Sequence, residues 1–129
     1  MRPRLYLSQP ITLGNRTQNF AAAANYAEWL MRNGFAVLNP GLSALWPQAW
    51  NIDHRIWIEN DLAWIAVADV VFRLPGESAG ADEETRFAEL EGIPVISTHH
   101  ELLAWKQTFD AARPNSPNAA RPRSVANGT

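Results

Sequence analysis

The chain has 129 residues, 47% hydrophobic and 19% charged, a balance that fits one folded domain with a sizeable core. A net charge of −2 argues against a nucleic-acid polymer as partner, and the absence of cysteine excludes disulfides and thiolate-held metals. No apolar run reaches the ~18 residues of a membrane span, and the start MRPRLYLSQPIT lacks a signal-peptide core, so a cytoplasmic soluble domain is the default.

Residues 4–8 (RLYLS) form a short apolar run ending at Gln9-Pro10 and read as a first strand. Over residues 17–33, Phe20, Ala23, Ala24, Ala27, Leu30 and Met31 recur at spacings of three and four, which predicts a helix capped by Gly34. FAVLNP (35–40) reads as a second strand. GLSALWPQAWNI (41–52) has no period and reads as an excursion carrying Trp46 and Trp50. Asp53 suits the cap of a helix running to Ala68, followed by a strand over 69–74 that Asp69 opens as a turn residue. A helix over 81–91, Gly92, a strand over 93–98 and a helix over 99–109 complete the periodic part. The folded domain is expected to span residues 1–110. Residues 111–129, rich in Pro, Asn, Ser and Arg, are expected to be a disordered tail.

Strands alternating with helices predict right-handed βαβ units and a four- to five-stranded parallel sheet covered on both faces, a flavodoxin-like three-layer α/β sandwich. In such sheets ligands bind beyond the carboxyl ends of the strands. Three loops therefore gather at one edge: residues 8–12, 39–52 and 75–80.

The third loop opens LPGESAGADEETRFAE (74–89), in which a Gly/Ser turn precedes most of five carboxylates. At 100° per residue, Ala81, Glu84, Phe87 and Ala88 share the inward side of the helix, while Asp82, Arg86 and Glu89 face solvent. Glu84 is thus a carboxylate on an apolar face, which costs free energy unless it is paired or neutral. Glu83 lies at the edge of that arc. The preceding helix repeats the anomaly, because Asp61 falls between Ile65 and Ala68 on the face made by Ile58 and Leu62. Two readings account for these residues. Asp61 pairs with Arg55 or Arg73 and Glu84 with a backbone amide, or the two carboxyls meet at the sheet edge as a reactive pair.

Other candidates carry less. Trp46 and Trp50, on an irregular loop near the site edge, are placed to stack on a flat ligand ring, or equally to form a dimer contact or cover the core. Asp53-His54-Arg55 opens a helix and is more often solvated surface than a phosphate site. His99 and His100 diverge on a helix and have no third ligand, so no metal and no cofactor are expected. Neither GxGxxG nor a P-loop lysine is present around residues 76–80, which argues against dinucleotide and NTP readings. Arg113, Arg121 and Arg123 in the tail read as solubilising charge.

Four segments carry a family resemblance in order and spacing over residues 4–97: YLSQPIT, NGFAVLNP, NDLAWIAVADVVFRL and SAGADEETRFAELEGIPVI. Together they resemble the nucleoside 2-deoxyribosyltransferase superfamily, including its 2′-deoxynucleoside 5′-phosphate N-glycosidases and related phage and bacterial domains of unknown function. The resemblance implies Glu84 as nucleophile, Asp61 as the acid that handles the base, and Tyr6 as the residue that orients Glu84. It places Ser78 and Gly80 by the phosphate or sugar, and Gln9, Pro10 and Ile11 with Trp46 and Trp50 around the base. Serine at position 78, rather than aspartate, tilts the expected substrate towards a nucleotide. Gln9 stands where the family has glycine, and either blocks the usual substrate or supplies a new amide contact. Glu83 stands where an aromatic or apolar residue is common.

The expected activity is hydrolysis or transfer at an N-glycosidic bond of a small-molecule nucleotide or nucleoside, in a homodimer or larger homo-oligomer. The competing expectation is a non-catalytic module that senses or sequesters a small nucleotide signal.

Overall fold

The computed structural model describes residues 1–10, 16–40 and 51–113. Its elements in chain order are β1 (Arg4–Ser8), α1 (Arg16–Arg32), β2 (Ala36–Leu38), α2 (His54–Ile65), β3 (Val70–Arg73), α3 (Ala79–Leu90), β4 (Val95–Ile96) and α4 (His99–Ala111). The four strands pair in parallel in the order β2-β1-β3-β4, with Tyr6 opposite Leu38 on one side and Val71 on the other. This is the α/β architecture that the alternation of periods predicts.

Period-two alternation divides the core into two layers. On one face Leu5, Leu7, Val70 and Phe72 pack with Ala23 and Leu30 of α1 and Leu102 of α4. On the other, Tyr6 and Val71 pack with Ile65 of α2 and Ala88 of α3. Each large side chain buried this way stabilises the fold by roughly 1.5–3 kcal/mol. Because β1 is flanked by both β2 and β3, the chain reverses direction across it. The carboxyl end of β1 is therefore the topological switch point where a crevice opens.

Local chemistry explains most boundaries. Gly34, at φ 91°, takes the left-handed conformation that ends α1, with Gly34 N–H donating to Met31 O and Phe35 N–H to Leu30 O. The buried stripe of α1 is centred on Ala23 and Leu30, whereas Met31 is exposed, so the inward face is narrower than its apolar residues suggest. Helix α2 stops at Ile65, not Ala68, because Val67 and Ala68 bond three residues back and tighten the last turn. Asp69 fills its expected turn position and accepts from the Arg4 backbone N–H at 2.7 Å, tying β3 to the start of β1. Helix α3 begins two residues before its predicted start. Ser78, extended at φ −164°, caps it by accepting from Ala81 N–H at 3.1 Å. Strands β2 and β4 are shorter than predicted, at three and two residues. Helix α4 is capped by Thr98 and reaches Ala111, and the tail expected beyond it lies outside the described residues from position 114. Among the described residues no helix is long and apolar enough to cross a membrane.

Candidate active site

The switch point brings together four side chains from three elements. Tyr6 and Ser8, two residues apart on β1, turn towards α3, where Glu84 occupies the second turn. Tyr6 Oη donates to Glu84 Oε2 at 2.8 Å, and Ser8 Oγ donates to Glu84 Oε1 at 2.9 Å. Asp61, one turn before Ile65 on α2, interacts with both Glu84 and Tyr6. Glu84 is 5% exposed and Asp61 7% exposed, and Tyr6 and Ser8 are fully enclosed.

Burial dominates the electrostatics. It raises Glu84 from its ordinary 4.5 to about 8, with the nearby Asp61 charge adding to the rise and the Tyr6 and Ser8 hydroxyls opposing it. Burial also raises Asp61, against hydrogen bonding to Glu84, Asn60 and Tyr6 and the positive field of His54. Two carboxyls in one dry site resist ionising together, so near neutral pH the pair holds a proton between them. Tyr6 is pushed far above the ordinary phenol range, first by burial and then by the Glu84 charge, so it acts only as a hydrogen-bond donor.

The structure removes the ion-pair explanation for these carboxyls among the described residues. Arg55 bridges Glu83 at 2.8 Å and Glu59 at 3.8 Å, while Arg73 bridges Asp82 at 3.2 Å. Glu84 accepts from hydroxyls, not from a backbone amide. Glu83, the ambiguous neighbour, is the surface partner and Glu84 the buried group.

The remaining sequence-predicted residues divide. Ser78 is half-buried, with its oxygen committed to the α3 cap, so its first role is structural. The amides of Ala79 and Gly80 have no intrahelical acceptor, by the geometry of any helix start. Yet Gly80 faces α2. A methyl group there would lie 3.5 Å from Ile58 Cδ1 and 3.7 Å from His54 Cε1, in ordinary contact. Gln9 is 4% exposed and Pro10 half-buried at the end of β1. Ile11, Trp46 and Trp50 lie outside the described residues.

Two contributors escaped the sequence reading. Ser8 is the second donor to Glu84, and the signal was available, because period two puts residues 6 and 8 on one strand face. Arg73 clamps the turn between β3 and α3, donating to Leu74 O, and to Gly76 O at 2.8 Å. An open groove of about 270 Å³ is lined by Ala36, Leu38, Trp64 and Val67 with Tyr6 at its wall. Neither Glu84 nor Asp61 is among the residues that line it. No group of metal-ligating side chains exists among the described residues.

The model of the family described as Domain of unknown function (DUF4406) matches residues 3–97. The chain belongs to the DUF4406 family. No curated protein matches this DUF4406 chain. Among solved structures it is similar to the 2-deoxyribosyltransferase from the psychrotolerant bacterium Bacillus psychrosaccharolyticus. That similarity has 22% identity and a TM-score of 0.57, over 71% of this chain and 69% of that one. It is also similar to a conserved protein from Enterococcus faecalis V583, at 17% identity and a TM-score of 0.63, over 87% of this chain and 75% of that one. At these identities the likeness is one of fold.

Proposed function

We propose that this DUF4406 chain cleaves the N-glycosidic bond of a nucleotide or nucleoside, passing the sugar to water or to a second base. The observation that carries the reading is the buried Glu84–Asp61 pair at the switch point, with Tyr6 and Ser8 both donating to Glu84. The fold likeness to a 2-deoxyribosyltransferase supports a nucleoside-type substrate.

Breaking the bond between C1′ and the base nitrogen develops positive charge on the sugar and negative charge on the leaving base. Glu84, ionised, attacks C1′ and forms a glycosyl ester. The bonding electron pair goes to the base nitrogen, and the proton of the carboxyl pair passes to the base through Asp61. Tyr6 and Ser8 hold the Glu84 oxygens in one orientation and spread their charge. Water, deprotonated by Asp61, then attacks C1′ and frees Glu84, or a second base does so. The amides at the start of α3 would hold a phosphate or sugar oxygen.

Incubation with a panel of nucleosides and nucleoside monophosphates, followed by chromatography for free base, tests the reading. Wild type releases base and Glu84→Ala does not. Nucleotide binding that survives Glu84→Ala, with no base released by wild type, would replace the enzyme with a binding module.

A further inference from the structure

Gln9 is the one described side chain that presents both a buried donor and a buried acceptor without a partner. It is 4% exposed, and neither Nε2 nor Oε1 has a hydrogen-bond partner among the described residues. A carboxamide offers two donors and an acceptor oxygen, and burying it unpaired costs about 1–3 kcal/mol. Folded proteins pair such groups almost without exception, so an orphaned amide marks a missing partner.

Its position says where that partner comes from. Gln9 directly follows Ser8, whose hydroxyl donates to Glu84 at 2.9 Å, at the end of β1 where the crevice opens. It is not a partner of Glu84, whose oxygens are held by Tyr6 and Ser8. The residue is also fixed in place. A following proline favours an extended backbone at Gln9, and Pro10 itself is keyed to the turn before α3. Gly76, at φ 121°, leaves a notch in which an added methyl would stand 2.7 Å from Pro10 Cγ. The amide is therefore held at the carboxyl end of β1, next in the chain to Ser8, without a partner among the described residues.

We infer that the Gln9 carboxamide determines specificity by hydrogen-bonding the polar edge of the substrate's base, an assignment that takes its ligand from the N-glycoside reading. A donor and an acceptor side by side match the amide edge of uracil, thymine, hypoxanthine or guanine. With the amide rotated, they match the amidine edge of adenine or cytosine. A ring without such a pair, as in benzimidazole riboside 5′-monophosphate, gains nothing from Gln9.

Calorimetric titration of the full chain, in a Glu84→Gln background that silences turnover, compares Gln9 with Gln9→Met and Gln9→Leu. The ligands are nucleoside 5′-monophosphates of the four common bases in ribo and deoxy form, the benzimidazole analogue and ribose 5-phosphate. Loss of the amide weakens the preferred nucleotide about ten- to a hundredfold. Binding of the benzimidazole analogue and of ribose 5-phosphate is unchanged, and the ligand-free melting temperature is equal or higher. Unchanged nucleotide affinity in both variants overturns the inference, as does an equal loss of all ligands with a lowered melting temperature. Base release by wild type, with the same base preference in Gln9→Met, sinks Gln9's role and leaves the glycosidase reading standing. Gln9-dependent nucleotide binding without base release does the reverse. Failure of wild type to bind any nucleotide overturns both.

Discussion

Replacing Glu84 by glutamine should make the protein more stable at alkaline pH while abolishing its chemistry. The carboxyl is raised from 4.5 to about 8, so the folded state keeps a proton that the unfolded chain has lost between those values. Wild-type stability therefore falls as pH rises through that window and levels off above about 8. The full rise corresponds to on the order of 5 kcal/mol at high pH. Part of that cost belongs to the shared proton with Asp61 and survives the substitution. Glutamine also presents its amide nitrogen to one of the two hydroxyl donors, a loss of about 1 kcal/mol. The net gain for Glu84→Gln is about 2–4 kcal/mol near pH 8.5, shrinking towards zero near pH 5.5, where the wild-type carboxyl is already neutral. Urea unfolding followed by tryptophan fluorescence at both pH values measures this directly. A variant less stable than wild type at pH 8.5, or a wild-type stability that rises through the window, would refute the claim that burial, rather than pairing, sets the state of Glu84.

The other consequences are separable. If the singly protonated carboxyl pair is the working state, kcat for base release falls above about pH 8, where the last proton leaves; a rate still rising there would contradict it. Asp61→Asn should slow base release by about 10²–10⁴-fold. The deficit should shrink for an N7-methylated purine, whose base leaves without being protonated, and an equal deficit for both substrates would remove Asp61 from proton transfer. Two glycines flanking the start of α3 should respond oppositely to alanine in thermal melts. Gly76→Ala combines positive φ with the Pro10 clash and costs about 1–3 kcal/mol. Gly80→Ala, in open helical geometry, gains up to about 1 kcal/mol.

Much of this architecture was legible in the residues themselves. Alternating periods gave the strand and helix order, and glycine at position 34 marked a helix end because few other residues tolerate its backbone. The inward position of Glu84 and Asp61 followed from 100° steps along two helices, since a carboxylate in an apolar arc is visible whatever its partner. Periodicity alone did not show what the carboxylates touch, because that depends on which strand face meets which helix; the pairing of Tyr6 with Glu84 came from the family resemblance. Only the parallel register of β1 with β3 puts the residue 6 and 8 side chains under α3. The capping role of Ser78 was obscured by its neighbours: a serine two residues before a glycine reads equally as an anion loop or a helix cap. Gln9 was visible as a polar residue after the first strand. Its burial without a partner is a property of the assembled crevice, and no pattern of residues announces it.

Whether Glu84 meets the sugar carbon is decided by a crystal structure with a C-nucleoside 5′-monophosphate. The carbon–carbon bond of such a ligand survives the reaction, so the native Glu84 can be kept. A Glu84 oxygen should lie within about 3–3.5 Å of C1′, in line with the bond to the base. A ligand seated with C1′ beyond reach of Glu84, its sugar turned away from the carboxyl pair, would contradict it.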